Sequence, residues 1–161
     1  MILVAYFSAT GETARLAGTL ARAAQADLYE IRPEHPYTAA DLNWHDERSR
    51  SSAEMRDEAC RPGIAGELPD LTRYDTVFVG FPIWWYQAPR IIETFLASCD
   101  FSGKRVVPFA TSGGSGMGRT EEILKKTCPT KAVFLPGRRF DSGASLAAIR
   151  NWLNALELSK K

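Results

Sequence analysis

Hydrophobic residues along this chain fall into two kinds of run, and the two alternate. Residues 1–7, 74–81 and 106–110 are short, unbroken and rich in Val, Ile and aromatic side chains, as expected of strands buried on both faces of a parallel sheet. Residues 132–135 form a shorter apolar run, and Leu28-Tyr29-Glu30-Ile31-Arg32, bounded by Pro33, alternates as a short edge strand does. Between them lie helical patterns. Leu16, Ala17, Leu20 and Ala24 share one side of 13–26, and Ile91, Ile92, Phe95 and Leu96 share one side of 90–99. A helix is also expected over 120–126, and another over 145–158 with Leu146, Ile149, Trp152, Leu153 and Leu156 inward. Thr38 or Asp41 can cap a further helix running to about Cys60, mostly charged, with Leu42, Trp44 and Met55 as its inward contacts. Prolines and glycines at 61–63 and 68–70 return the chain to the sheet.

Five strands alternating with helices predict an α/β fold with one doubly wound parallel sheet. In such a sheet ligands bind at the C-terminal strand ends, where the winding direction switches. Three loops there carry unusual chemistry. After the first strand, Ser8-Ala9-Thr10-Gly11-Glu12-Thr13 puts hydroxyls and one glycine at the start of a helix, where free backbone N–H groups and the helix dipole favour a phosphate. An ordinary Ser/Thr helix cap explains the same residues equally simply. After the third strand, Pro82-Ile83-Trp84-Trp85-Tyr86-Gln87-Ala88-Pro89 holds three adjacent aromatics. Successive residues of a turn cannot all point inward, so some should face a flat, largely apolar ligand; a patch for a protein partner is the alternative. After the fourth strand, Thr111-Ser112-Gly113-Gly114-Ser115-Gly116-Met117-Gly118 lets backbone groups approach a planar ring edge.

Composition narrows the classes. With 161 residues, 45% hydrophobic, the chain suits one domain with one good core. A formal net charge of +1 gives no case for nucleic acid or a membrane surface. The N-terminal strand lacks the basic start and cleavage site of a signal peptide, so a cytoplasmic protein is expected. Cys60, Cys99 and Cys128 are scattered, which predicts isolated thiols rather than a disulfide or zinc framework, and His35 and His45 stand apart from any ligand cluster. No GxxxxGK[ST] pattern supports nucleotide hydrolysis.

The stretch Ser8 to Thr13 after an N-terminal strand resembles the phosphate loop of the flavodoxin family, whose ligand is flavin mononucleotide, FMN. Relatives often carry Asn at the position of Glu12, and a carboxylate would be repelled by a phosphate, so Glu12 is expected to face solvent and favour the helix N-terminus. The resemblance extends over the whole chain. It implies a flavodoxin-like three-layer αβα sandwich with a five-stranded parallel sheet of order 2-1-3-4-5. It also implies a cofactor site formed by Ser8, Ala9, Thr10, Gly11, Glu12, Thr13, Pro82, Ile83, Trp84, Trp85, Tyr86, Thr111, Ser112, Gly113, Gly114, Ser115 and Gly118.

The function implied is that of a flavoprotein in which noncovalently bound FMN performs electron transfer, with a redox partner protein or a small-molecule acceptor. Two departures from the carrier pattern point to an oxidoreductase alternative. Electron-carrying flavodoxins often place a glycine after the third strand, where its peptide can turn toward the flavin, and none occurs between Pro82 and Pro89. Carriers are also usually strongly acidic. The aromatic loop is similar to those of NAD(P)H-dependent flavin and quinone reductases of the same fold. No side chain is assigned as a general acid or base. A non-catalytic signalling module similar to response-regulator receivers would need an Asp where Pro82 stands.

Overall fold

The computed structural model describes residues 1–112, 116–129, 131–141 and 143–156. Its centre is a parallel sheet of order β2-β1-β3-β4-β5, built from β1 (Ile2–Tyr6), β2 (Asp27–Glu30), β3 (Thr76–Pro82), β4 (Arg105–Thr111) and β5 (Val133–Phe134). It is the expected flavodoxin-like α/β sandwich. Strands β1, β3 and β4 are buried in their interiors because both sheet faces are covered.

Alternate residues of each strand enter different cores. Leu3, Val77, Val79 and Val106 meet α3 (Arg90–Ser98), through Ile92, Phe95 and Leu96, and α4 (Thr120–Thr127), through Leu124. Val4, Phe78, Val107 and Phe109 meet α1 (Glu12–Ala24), through Leu16 and Leu20, and α5 (Leu146–Leu156), through Ile149 and Trp152. Trp152 is core, edge-on to Phe78 and Phe140. Gly80 lies under the Phe109 ring so closely that a Cβ there would come within 2.1 Å of its Cζ.

Two elements differ from the periodicity reading. The edge beyond β4 is split into β5 and β6 (Arg138–Phe140), both parallel to β4. Pro108, midway along β4, has no N–H to offer the ladder; the Leu135 N–H still reaches the Val106 carbonyl at 2.9 Å, and strand pairing resumes at Arg138. Gly137 passes there so near the Pro108 carbonyl that a Cβ would sit 2.6 Å from its oxygen.

The long charged helix expected after Thr38 is also replaced. Only α2 (Arg50–Arg56) is helical, capped by Ser49, whose side chain accepts from the Ser52 N–H. Upstream, Thr38 and Asp41 exchange side chain to backbone hydrogen bonds, Asn43 Oδ1 accepts from the His45 N–H, and Asp46 Oδ1 accepts from the Arg48 N–H. Such local acceptors compete with helix formation. Met55 is buried as expected, but Trp44 is 64% exposed. Among the described residues no helix is long and apolar enough to cross a membrane.

Candidate functional site

A cavity of about 870 Å³ opens at the C-terminal ends of β1, β3 and β4, across the β1–β3 junction where the winding switches. The first loop contributes Ala9, Thr10 and Glu12 to its lining. Gly11 precedes α1 at φ 94°, a left-handed conformation that glycine adopts freely; open space surrounds it, so this φ is the reason for glycine. Ser8 Oγ accepts from the Gly11 N–H at 3.0 Å, which holds the loop in shape.

No side chain caps the start of α1. The hydroxyls therefore do not act as an ordinary helix cap, and the first N–H groups of α1 stand at the positive end of the dipole without a side-chain acceptor. Thr13 is buried and hydrogen-bonds Thr111 Oγ1 at 2.8 Å, fastening this loop to the end of β4. Glu12 is exposed, as expected, at the cavity rim.

The aromatic loop supplies Pro82, Ile83, Trp84, Trp85 and Tyr86. Backbone hydrogen bonds in both directions between Trp84 and Gln87, at 2.9 and 3.0 Å, close a two-residue turn. Trp85 and Tyr86 occupy its centre at φ 48° and 63°. Trp84 turns inward, edge-on to Phe7 at 5.8 Å and Tyr37 at 5.5 Å, whereas Trp85 and Tyr86 remain 42% and 63% exposed. This divides the aromatics as the turn argument required.

From the third loop, Thr111, Ser112 and Gly116 reach the cavity. Gly113, Gly114 and Ser115 lie outside the described residues. Gly118, expected at the cofactor, lies against the aromatic turn, where a Cβ would meet the Tyr86 carbonyl oxygen at 2.9 Å. Thr120 Oγ1 donates to that carbonyl. Behind Ser112, Arg139 Nη1 donates to its carbonyl at 3.2 Å and to Asp141 Oδ1 at 2.8 Å. Among the described residues, Glu12 is the charged side chain of the lining, with no Lys or Arg beside it.

The sequence reading missed Leu42, Trp44 and Ser51, which close the cavity from the segment after β2. The signal was Trp44, a large apolar residue in a polar stretch, which the helix reading had turned toward the sheet.

Two charged networks hold this segment. Arg50 lies 3.8 Å over the Tyr37 ring, pairs with Glu54 at 3.0 Å and donates to the His35 carbonyl at 2.6 Å. The Tyr37 hydroxyl donates to Glu54; burial and then that bond push its pKa well above the ordinary tyrosine value. Deeper in, Arg90 reaches Glu93 Oε1 at 2.8 Å, the Met55 carbonyl at 2.7 Å, and the Glu54 carbonyl and Gln87 Oε1 at 3.3 Å each. Glu93 also accepts from Arg61 and Thr127, each at 3.1 Å. One buried guanidinium thereby joins the end of α2 to the aromatic turn.

Cys60, Cys99 and Cys128 form no disulfide among the described residues, Cys128 being buried and the others half-buried. Burial pushes the Cys99 thiol up to about 11.

A family description, flavodoxin, matches residues 1–156. A structure assigned as a flavoprotein from Bacteroides eggerthii has 51% sequence identity and a TM-score of 0.91, covering 98% of each chain. Another so assigned, from Bacteroides uniformis, has 50% identity and a TM-score of 0.90 over 95% of this chain and 97% of its own. The fold is shared with a Lactobacillus acidophilus flavoprotein solved in complex with FMN, at 19% identity and a TM-score of 0.66 over 86% and 91%. No curated protein matches the sequence.

Proposed function

Because the chain belongs to the flavodoxin family, we infer that it binds FMN noncovalently and carries electrons through it. The observation that supports this most is the uncapped start of α1 at one side of an 870 Å³ cavity whose other side is aromatic. A phosphate at the first side and a flat tricyclic ring at the second would satisfy both.

In this reading the amides of Glu12 and Thr13 and the Thr10 hydroxyl hold the phosphate, and Gly11, its own N–H held by Ser8, sets the turn. Trp84, Trp85 and Tyr86 bury the ring, while backbone groups of Thr111 and Ser112 face its polar edge. Bound FMN supplies the redox chemistry. The chain's own part is to orient the ring, exclude water from one side of it and set the local charge. Glu12 at the rim, with no Lys or Arg in the described lining, disfavours an anionic reduced ring and so favours a low midpoint potential.

A second reading, an NAD(P)H-dependent quinone or flavin reductase, draws support from the net charge of +1, since a carrier that docks charged proteins gains encounter rate from a strong charge. The first test is FMN titration of purified protein followed by desalting. Retention of one FMN per chain supports the cofactor assignment; loss of all flavin refutes it. Stepwise anaerobic reduction then separates the readings. A one-electron intermediate in the visible spectrum supports the carrier, whereas direct bleaching, with reduction by NADH or NADPH, supports the reductase.

A further inference from the structure

Beside the large cavity lies a second cleft of about 280 Å³, and Trp44 and Trp85 belong to the walls of both. We propose that this cleft is a separate binding site for a small planar aromatic acid, held between the two indoles with its acidic group on Arg56. The site stands on the geometry alone; its role as the place of an electron donor or acceptor rests on the flavin reading.

Size limits the ligand first. Drug-sized ligands occupy pockets of roughly 300–1,000 Å³, so a 280 Å³ cleft takes one or two fused rings and not a whole dinucleotide. The walls give its shape. Trp44 is 64% exposed and Trp85 42%, a cost in exposed apolar surface that a flat ring would remove. The His45 ring lies against Trp44, tilted at 31° with centroids 3.7 Å apart. Trp85 is fixed by the closed turn between Trp84 and Gln87. Met55 supplies an adaptable apolar floor.

Polar groups give the orientation. The side chain of Arg56, the last residue of α2, forms no hydrogen bond or ion pair among the described residues, and neither does that of Glu47, also in the lining. Of the other arginines nearby, Arg50, Arg61 and Arg90 are engaged, and Arg48 is not part of the cleft lining. A guanidinium left free at an aromatic cleft suits a carboxylate or an acidic enol, which it can bind bidentately. Gln87 already points its Oε1 to Arg90, which leaves its amide N–H groups as further donors. Glu47 would accept from a ring hydroxyl. Together these groups describe a hydroxylated aromatic acid.

The test uses 6-hydroxy-2-naphthoate as the probe and 2-naphthol as its uncharged counterpart, titrated by calorimetry into the protein with and without added FMN. The expected result is one probe per chain that FMN does not displace. Arg56→Gln should weaken the probe about tenfold and change 2-naphthol less than twofold, because a charged hydrogen bond is lost from one and not the other. Arg56 is exposed, so the variant keeps its fold. Trp44→Ala should weaken both compounds. Displacement of the probe by FMN, or equal affinity in the Arg56 variant, overturns the proposal, as does no binding at millimolar probe. Arg56-dependent binding by a protein that retains no FMN would uphold the site while removing the flavin reading.

Discussion

Replacing Arg90 by Met tests whether the buried charge cluster holds the site together. Arg90 and Glu93 are 2% and 3% exposed, so the substitution leaves a buried carboxylate without its nearest cation. It also strips donors from the Met55 and Glu54 carbonyls. Breaking a buried pair by removing one partner costs about 3–5 kcal/mol. The 3.1 Å contact from Arg61, itself 37% exposed, offsets part of this and places the expectation near about 3 kcal/mol. Methionine refills the volume, so little of that cost is a cavity.

The assay is urea denaturation of the FMN-free protein, followed by far-ultraviolet circular dichroism. With a slope of about 2 kcal/mol/M, a loss of about 3 kcal/mol lowers the midpoint by about 1.5 M. The double variant R90M/E93L should recover most of the loss, because a buried ion pair and an apolar pair of similar volume are often nearly equivalent in stability. Flavin affinity should stay low in that double variant. Its folded state lacks the bonds that tie the end of α2 to the Gln87 side chain, and the segment leading into α2 carries Leu42, Trp44 and Ser51 to the cavity. A single variant that loses less than about 1 kcal/mol would refute the energetic argument. A double variant that binds FMN like the parent would refute the positional one.

Other expectations follow from the same contacts. Gly80→Ala drives a methyl into the Phe109 ring and should cost about 1–3 kcal/mol by urea midpoint, most of it returned in G80A/F109L, where the ring is gone. Glu12→Gln should act with opposite signs in two assays: FMN binds up to several-fold tighter at low salt as a repulsion is removed, while the apoprotein loses about 0.3–1 kcal/mol of helix-dipole stabilisation. Salt-independent FMN affinity in both proteins would contradict this. Trp84→Ala should weaken FMN binding more than Trp152→Ala in folded protein, since only Trp84 lines the cavity; equal effects in flavin titrations would tell against the site. The Cys99 thiol, raised from 9.0 to about 11 by burial, stays protonated in the native state after the unfolded chain has lost its proton, so stability falls as pH rises between those values. Cys99→Ala should remove that part of the slope in urea melts from pH 8 to 11, with Tyr37 adding a further fall above pH 10 in both proteins.

The parts of this molecule legible from sequence are those in which one face of each element is apolar. The runs of β1, β3 and β4 and the spacing in α1, α3 and α5 gave these elements and their buried faces, while the sheet order came from the family resemblance. Periodicity could not show a loss of regularity caused by single atoms. The missing N–H of Pro108 interrupts the edge strand, and the side-chain acceptors of Asn43 and Asp46 compete with helix in a segment whose polarity suited an exposed one, until Ser49 caps α2. The second failure hid Trp44, and with it one wall of the candidate site. At Gly118 glycine-rich sequence marked close approach without naming what approaches, and the Tyr86 backbone lies there.

The aromatic turn shows how the protein sustains a site that local preference opposes. A two-residue turn with both central residues left-handed favours Asn-Gly, and this chain has Trp85-Tyr86. Each bulky residue there costs on the order of 1–2 kcal/mol. The surroundings offset the strain. Trp84 and Gln87 close the turn from both sides, Arg90 holds the Gln87 side chain, Thr120 donates to the Tyr86 carbonyl, and Gly118 leaves that carbonyl room. A connection serving only to join β3 to α3 would need none of this, since Asn-Gly makes the same turn without strain. The aromatic identities are therefore explained by where their side chains go: Trp85 stands between the two clefts and Tyr86 at the rim of the larger one, both partly exposed in positions that an aromatic ligand would cover.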